Sequence, residues 1–247
     1  MRLTLGYRGT RYAGWAVQSP SRTRQRPTLQ ATLEAALATA LGHQVRATAA
    51  GRTDAGVHAD GQVVSFDTTS TMPGAGLARV LATLLPEDIW VVEACEAPAS
   101  FDARRSALRR WYRYAIWRGA SPPFAWQGRC LVDARALCVE TMRVAARCLL
   151  GRHDFGSFVT RPTARRSTER TVLAADWLEV SPDVLLFEIC ADAYLKQMVR
   201  GIVGSLLWVG DRHWTVEQFA RALSMADRRA AGPNAPAIGL TLTRIEY

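Results

Sequence analysis

The sequence lacks several features that mark common protein classes. Its five cysteines are scattered along 247 residues and include no C-x-x-C pair of the kind that zinc or a redox centre uses. No apolar run approaches the roughly 18 residues of a membrane span. Neither the G-x-x-x-x-G-K-[ST] loop nor the G-x-G-x-x-G fingerprint occurs. We therefore expect a cytoplasmic protein that uses no metal and no cofactor and has no membrane segment.

Lysine is almost absent, and the positive charge is concentrated in segments. There are 31 basic and 22 acidic side chains, which gives a net charge of +9, and Lys196 is the only lysine. Guanidinium groups grip phosphate in a fork and stack on bases. A G+C-rich genome also favours arginine, but it would scatter the arginines among acids. The first 33 residues instead hold six arginines and no acid, and the segment from Phe101 to Arg118 holds six arginines against Asp102.

Aromatic residues interleave with the arginines of the second basic segment. They are Trp111, Tyr112, Tyr114 and Trp117, in the run RRSALRRWYRYAIWR. A strand of this composition can present both charge and stacking surfaces to a polynucleotide. The two basic segments together predict contact with nucleic acid.

Hydrophobic periodicity predicts the order β-α-β-β-α-β twice along the chain. The predicted strands include residues 2–7, 44–50, 89–95 and 240–246, and the predicted helices include residues 134–150 and 195–209. This order is typical of the ferredoxin-like, or RRM-like, unit. We expect an α+β protein in which two such units lie side by side, with residues 1–100 in the first and residues 101–247 in the second. A cleft between the two units is the expected place for an active site.

The loop GRTDAGVHAD, residues 51–60, carries the first candidate for chemistry. Asp54 lies between two glycines, which allow close approach to a ligand, and two residues from Arg52. A turn residue is the ordinary alternative for such an aspartate. His58 and Asp60 add a possible metal set, although a loop hydrogen bond explains His58 more simply.

The second candidate lies in the segment AYLKQMVRGIVG, which is apolar at helical spacing. Arg200 is the exception, and a cation in such a helix needs a carboxylate or phosphate partner if it is buried. A pair between Asp54 and Arg200 would meet that need and hold the carboxylate ionised.

Five motifs in order along the chain resemble those of the tRNA pseudouridine synthase A family. They are YRGTRYAGW, GRTDAGVHA, FDARRSALRRWYRY, HDFGSF and YLKQMVRGIVG. The resemblance implies the pseudouridine synthase fold and a homodimer that binds tRNA. The implied activity is isomerisation of uridine to pseudouridine, without a cofactor, in the anticodon stem and loop, at the nucleotides numbered 38, 39 and 40.

The resemblance also implies roles for individual residues. Asp54 matches the catalytic aspartate, and Arg200 matches the arginine that pairs with it. Tyr112 matches the tyrosine that stacks on the target base, and Arg52 matches the arginine that assists base flipping. Leu240 resembles an apolar residue that lines the uracil pocket.

Two positions depart from the family pattern, and two basic loops extend the expected tRNA surface. Arg8 stands where family members have an acid, and Ala16 replaces a glutamine. The loop from Pro20 to Pro27 contains Arg24 and Arg26, which we expect to bind phosphate, as we do for the loop 161–170.

Two other functions fit parts of the pattern. A non-catalytic RNA-binding protein of two RRM-like units would share the charge and the aromatic residues, but it would not need a carboxylate beside its RNA. A metal-dependent nuclease would use Asp54, His58 and Asp60 and would lose activity to chelators.

Overall fold

The structure is a computed structural model that describes residues 1–17, 26–160 and 167–247. In these ranges the strands are β1 (Arg2–Tyr7), β2 (Thr48–Ala49), β3 (His58–Ser65), β4 (Ile89–Cys95), β5 (Arg109–Trp117), β6 (Leu131–Val132), β7 (Gly151–Asp154), β8 (Glu169–Ser181), β9 (Val184–Ala191) and β10 (Leu240–Glu246). The helices are α1 (Leu29–Leu41), α2 (Gly74–Leu84), α3 (Val139–Arg147), α4 (Met198–Gly210) and α5 (Val216–Ser224). Among the described residues, no helix has the length and apolar character to cross a bilayer.

The chain divides into two compact units. The first consists of Met1–Arg110 together with Thr241–Tyr247, and the second consists of Trp111–Leu240. Nearly all of the C-terminal strand therefore belongs with the N-terminal part of the chain. Both units combine helices with a sheet, which confirms the predicted mixed α and β class.

The first unit has the ferredoxin-like strand order that the sequence predicts. Strands β4, β1 and β3 are neighbours in that order, and β2 also pairs with β3. All three pairings are antiparallel. Strand β10 runs parallel to β3 and places Thr241 opposite His58, at the end of β3 that follows the Asp54 loop.

Capping residues and apolar spacing explain the ends and the buried face of helix α1. The Thr28 side chain accepts a hydrogen bond from the Ala31 amide at the N-terminus, and Gly42 ends the helix in a left-handed conformation. Leu29, Leu33 and Leu37 are buried at helical spacing. The buried face of the helix is therefore part of the core of the first unit.

In the second unit, β5, β9, β8 and β7 are neighbours in that order, and β6 runs parallel to β5. Helix α3 packs against β8 and against α4. The rings of Trp177 and Phe187 pack together in the core, tilted by 37° with centroids 4.9 Å apart. The motif HDFGSF is part of this core, since Phe155 and Phe158 are fully buried and the Ser157 hydroxyl donates to the Ala222 carbonyl at 2.6 Å.

Helix α4 lies against the segment that precedes β10 with no space for a side chain between them. A Cβ on Gly204 would lie 1.7 Å from the Pro233 carbonyl oxygen. The buried Ser205 hydroxyl accepts from the Gly232 amide at 2.9 Å. The path of residues 232–235 along α4 therefore requires glycine at position 204.

We expect the same substitution to have opposite effects in two helices. Gly204→Ala should lower the free energy of unfolding by about 1–3 kcal/mol or more, because the methyl group overlaps a carbonyl that cannot move without its segment. Gly76→Ala in α2 meets only side-chain atoms at 3.4 Å and beyond. It should raise the free energy of unfolding by about 0.5–1 kcal/mol through helix propensity. Urea denaturation followed by circular dichroism measures both, and equal shifts in one direction would contradict the packing argument.

Candidate active site

Asp54 lies in the loop between β2 and β3, and main-chain hydrogen bonds hold both peptide groups that flank it. The Thr53 carbonyl accepts from the Trp15 amide at 3.0 Å, and the Asp54 carbonyl accepts from the Val57 amide at 3.1 Å. The Asp54 side chain itself is half-buried. The backbone therefore fixes the direction in which the carboxylate leaves the loop.

The motif YRGTRYAGW packs directly against the backbone of the Asp54 loop. Gly14 has φ +97°, and a Cβ there would lie 2.9 Å from the Thr53 carbonyl oxygen and 3.1 Å from the Asp54 carbonyl carbon. Gly9 approaches the same loop, since its Cβ would lie 1.9 Å from the Val57 carbonyl oxygen. Two motifs that are separate in the sequence thus form one packed structure.

His58 has a structural hydrogen bond, which confirms the simpler of its two predicted roles. It is fully buried, and its Nδ1 accepts from the Gly9 amide at 3.3 Å. Within residues 1–17, 26–160 and 167–247, no three His, Cys, Asp or Glu side chains are grouped as metal ligands would be.

Three buried polar side chains lie behind the loop. Gln62 donates from Nε2 to the Gly51 carbonyl at 2.6 Å and to the Tyr7 hydroxyl at 3.3 Å. The Tyr7 hydroxyl lies 2.9 Å from Thr53 Oγ1. Burial raises the pKa of Tyr7 to about 12, and its hydrogen bonds with Thr53 and Gln62 oppose that shift. These three residues are not among the site residues predicted from the sequence, although a glutamine beside Val63 and Val64 in β3 was a signal for one of them.

The arginines predicted to contact the substrate have different positions. Arg52 is exposed on the same loop as Asp54, and Arg26 is exposed just before α1. Arg24 lies outside the described residues, as does most of the loop 161–170. Arg104 and Arg105, of the second basic segment, are also exposed.

In the second unit, Tyr112 is on β5 and contacts the aromatic ring of Tyr194. The two rings meet edge to face, with centroids 5.0 Å apart and planes at 84°. Tyr112 is 8% exposed, whereas Tyr114, two residues further along the same strand, is completely buried. The Tyr114 hydroxyl donates to the Pro236 carbonyl at 2.9 Å. The prediction that the aromatic residues of this strand face a polynucleotide is therefore wrong for Tyr114, which belongs to the core.

Arg200 lies in the first turn of α4 and is held by the segment that precedes β10. Its Nε donates to the Ala235 carbonyl at 2.7 Å, and the Ala235 amide donates to the Arg200 carbonyl at 2.9 Å. The guanidinium is half-buried. Its other four N–H donors are on the terminal nitrogens, which are the groups that grip a carboxylate or phosphate.

The charge of Arg200 also acts on the buried tyrosine of β5. Burial raises the pKa of Tyr114, and the nearby Arg200 guanidinium opposes that rise. Tyr112 and Tyr114 project to the same face of β5, since side chains alternate along a strand. The second unit therefore brings Arg200 close to the face of β5 that carries Tyr112.

The structure brings some of the predicted site residues together within each unit. Arg52 and Asp54 share a loop of the first unit, whereas Tyr112, Arg200 and the buried Leu240 belong to the second. The pair between Asp54 and Arg200 stays a prediction, as does the cleft.

Three solved structures resemble the chain only distantly. A Cbf5-Nop10-Gar1 complex matches with 15% sequence identity and a TM-score of 0.36, over 98% of this chain and 49% of that chain. An archaeal box H/ACA Nop10-Cbf5 complex matches with 13% identity and a TM-score of 0.34, over 94% of this chain and 60% of that chain. An H/ACA particle bound to a substrate RNA containing 2'-deoxyuridine matches with 17% identity and a TM-score of 0.32, over 72% of this chain and 39% of that chain. The chain thus spans between about two fifths and three fifths of the length of these proteins.

Comparison with curated sequences gives much stronger matches. The tRNA pseudouridine synthase A of Moorella thermoacetica is 40% identical over 252 residues, which cover 100% of this chain and 99% of that protein. The proteins of the same name from Chloroflexus aurantiacus and Myxococcus xanthus are 42% and 39% identical, covering 99% and 100% of this chain and 87% and 91% of their own lengths. A family model described as tRNA pseudouridine synthase matches residues 5–104 and 145–247. Because these matches include the Asp54 loop, the start of α4 and nearly the whole chain, the chain belongs to the tRNA pseudouridine synthase family.

Proposed function

We propose that this isomerase of tRNA uridines acts on the anticodon stem and loop, with Asp54 as its essential carboxylate. The observation that carries the proposal is the loop itself. The peptide groups on both sides of Asp54 are held by the amides of Trp15 and Val57, and the carboxylate is half-buried. A side chain that only closed a turn would not need such support from a second segment of the chain.

The reaction rearranges bonds within one nucleotide. The glycosidic bond from N1 to C1′ breaks, the uracil turns, and a bond from C5 to C1′ forms. The proton that leaves C5 balances the proton that N1 gains, so nothing is consumed. The protein therefore has to supply position, charge and proton transfer, and these are the properties of side chains.

An ionised carboxylate at position 54 can act in three ways. It can attack C1′, it can stabilise the positive charge that develops at C1′, or it can take a proton from the ribose. All three require the charged form. A guanidinium beside the carboxylate favours that form, and we propose Arg200 for this role.

The remaining site residues act on the base and the backbone of the substrate. We propose that Tyr112 stacks on the uracil, with its hydroxyl placed to take the C5 proton late in the reaction. Arg52 assists the flipping of the target nucleotide, and Leu240 lines the pocket for the base. The exposed position of Arg52 and the burial of Leu240 are consistent with these two roles.

The protein is also proposed to act in the cytoplasm as a homodimer, as its motifs imply. Its five cysteines form no disulfide, which agrees with a reducing compartment.

Asp54→Asn separates this proposal from a non-catalytic RNA-binding protein. We expect release of tritium from C5-labelled uridine in unmodified tRNA to fall by about 10³-fold or more, because the neutral amide cannot perform any of the three roles. Binding of tRNA should be retained or become tighter, since a negative charge near phosphate is removed.

Asp60→Asn is the matched control, because it makes the same chemical change six residues further along, in β3. It should keep tritium release within about threefold, since surface and non-catalytic changes have small effects. Normal tritium release by Asp54→Asn would reject the proposal. Loss in both variants together with sensitivity to chelators would instead favour a metal-dependent reaction.

Substitutions at Tyr112 separate stacking from proton transfer. Tyr112→Leu should lower kcat/KM by about 5-fold to 150-fold, which corresponds to the roughly 1–3 kcal/mol that stacking on one base contributes. Tyr112→Phe retains the ring, so we expect it to keep tRNA affinity and to slow only the step that releases the C5 proton. Equal losses of tRNA affinity in both variants would show that the hydroxyl serves binding instead.

Charge reversal tests the proposed phosphate-binding loop before α1. Arg24→Glu combined with Arg26→Glu should weaken tRNA binding by about tenfold or more at moderate salt and reduce the dependence of affinity on salt concentration. Arg46→Glu combined with Arg152→Glu changes the net charge equally, at two exposed arginines that pair with Glu34 and Glu169. Equal effects of the two double variants would mean that net charge, and not this loop, determines the affinity.

A further inference from the structure

We propose that the hydroxyl groups of Tyr7 and Thr53, together with the Gln62 amide, position Asp54 for the chemical step. The inference rests on the proposed function, in which Asp54 is the essential carboxylate. All three side chains are at most 6% exposed, and their polar groups bond to one another and to the Gly51 carbonyl. They are positioning residues that act through the backbone of the Asp54 loop.

The main chain fixes the orientation of the Gln62 amide. Its Nε2 donates to the Gly51 carbonyl at 2.6 Å, and its Oε1 accepts from the Gly51 amide at 3.4 Å. Gln62 thereby takes the place of a strand partner for Gly51, just beyond the end of β2. Its second N–H points to the Tyr7 hydroxyl, which accepts it at 3.3 Å.

The Tyr7 hydroxyl joins Gln62 to the loop. Its oxygen accepts from Gln62 Nε2 and lies 2.9 Å from Thr53 Oγ1, with which it shares a second hydrogen bond. Burial raises the pKa of Tyr7 to about 12. A chain of three hydrogen-bonded groups thus connects β3, β1 and the loop.

Thr53 is held at two points, and Asp54 is the next residue. Its side chain is bound by Tyr7, and its carbonyl is bound by the Trp15 amide at 3.0 Å. Buried polar groups that lose a partner are costly, so the network strongly favours one arrangement of the loop. Removal of one hydroxyl leaves its neighbours unsatisfied and allows the loop to shift. A displacement of about 1 Å at a reacting group can reduce the rate by about 10²-fold.

The test measures kcat, KM and tRNA affinity in the full-length protein. Tyr7→Phe and Thr53→Val each remove one hydroxyl and keep the shape of the side chain. We expect each to lower kcat for tritium release by about 10-fold to 100-fold, while KM and the Kd for tRNA change by less than about twofold. Thr53→Ser, which keeps the hydroxyl, should restore most of kcat. The double variant should lose little more than either single variant, because both interrupt one chain.

Ser157→Ala is the control for a purely structural effect. It removes another fully buried hydroxyl, which donates to the Ala222 carbonyl at 2.6 Å in the second unit. We expect it to lower the thermal midpoint without lowering kcat, assayed well below that midpoint. Values of kcat for Tyr7→Phe and Thr53→Val as high as that of Ser157→Ala would overturn the inference, and so would parallel losses of tRNA affinity. Failure of Thr53→Ser to recover would assign the effect to packing and would also overturn it.

The same assay distinguishes failure of this inference from failure of the proposed function. If the unchanged protein releases tritium, Asp54→Asn does not, and the two hydroxyl variants are fully active, then only the positioning role is wrong. If Asp54→Asn is active, the proposed function fails before the network is considered.

Discussion

Gly14 lies so close to the peptide group between Thr53 and Asp54 that even a methyl group would not fit between them. Backbone therefore packs directly on backbone at the candidate catalytic loop. Backbone also packs on backbone in the second unit, where Gly204 lies against the Pro233 carbonyl. Two residues after Pro233, the Ala235 carbonyl accepts a hydrogen bond from Arg200. In each unit, main-chain contacts hold the segment that carries a proposed catalytic charge. The backbone, and not the charged side chain alone, thus determines where each charge is placed.

This arrangement suits a reaction that consumes nothing. An isomerisation gains no driving force from a co-substrate, so the rate depends on how well the enzyme places charge and bases before the bond breaks. A carboxylate on a mobile turn would lose that advantage, because the loop would have to be ordered in each catalytic cycle. The buried hydroxyls of Tyr7 and Thr53 and the close packing at Gly14 order the loop when the protein folds, so its conformational entropy is not lost again in each cycle.

The sequence predicts the regular strands more accurately than the elements whose ends depend on distant side chains. Strands β1, β4 and β10 begin and end at the predicted residues, because their patterns are regular. Strand β2 was predicted over Gln44–Ala50 but spans only Thr48–Ala49. Side chains of α1 explain this, since Glu34 accepts from the Ala47 amide and Gln30 donates to the Ala47 carbonyl. These two hydrogen bonds join residues that are separated by 13 and by 17 positions in the sequence, so no local pattern reveals them.

The starts of two helices also depend on contacts between residues that are far apart in the sequence. Helix α4 was predicted to start at Leu195 but starts at Met198, because Gln197 adopts a left-handed conformation with φ +62°. The Gln197 side chain accepts from Asn234, which is 37 residues away. Helix α3 starts at Val139 and not at Ala134, since the amide of Cys138 donates to the Gly210 carbonyl.

Among the candidate site residues, motifs identified Asp54, Tyr112 and Arg200, whereas Tyr7, Thr53 and Gln62 required the structure. The latter three come from different elements and meet only in the folded core.

The arginines show why composition predicts a class of partner but not an interface. Arg113 donates to one Glu188 oxygen from two nitrogens, at 2.9 and 2.7 Å, and Arg110 donates to the carbonyls of Ala50 and Arg104. These guanidinium groups stabilise the fold. Asp102 instead accepts from the backbone amides of Arg104 and Arg105, both at 2.8 Å, and leaves both side chains exposed. The acid in this basic segment therefore orders a turn and does not neutralise its neighbours. The number of phosphates that the protein can bind depends on such local pairings and is not given by the net charge of +9.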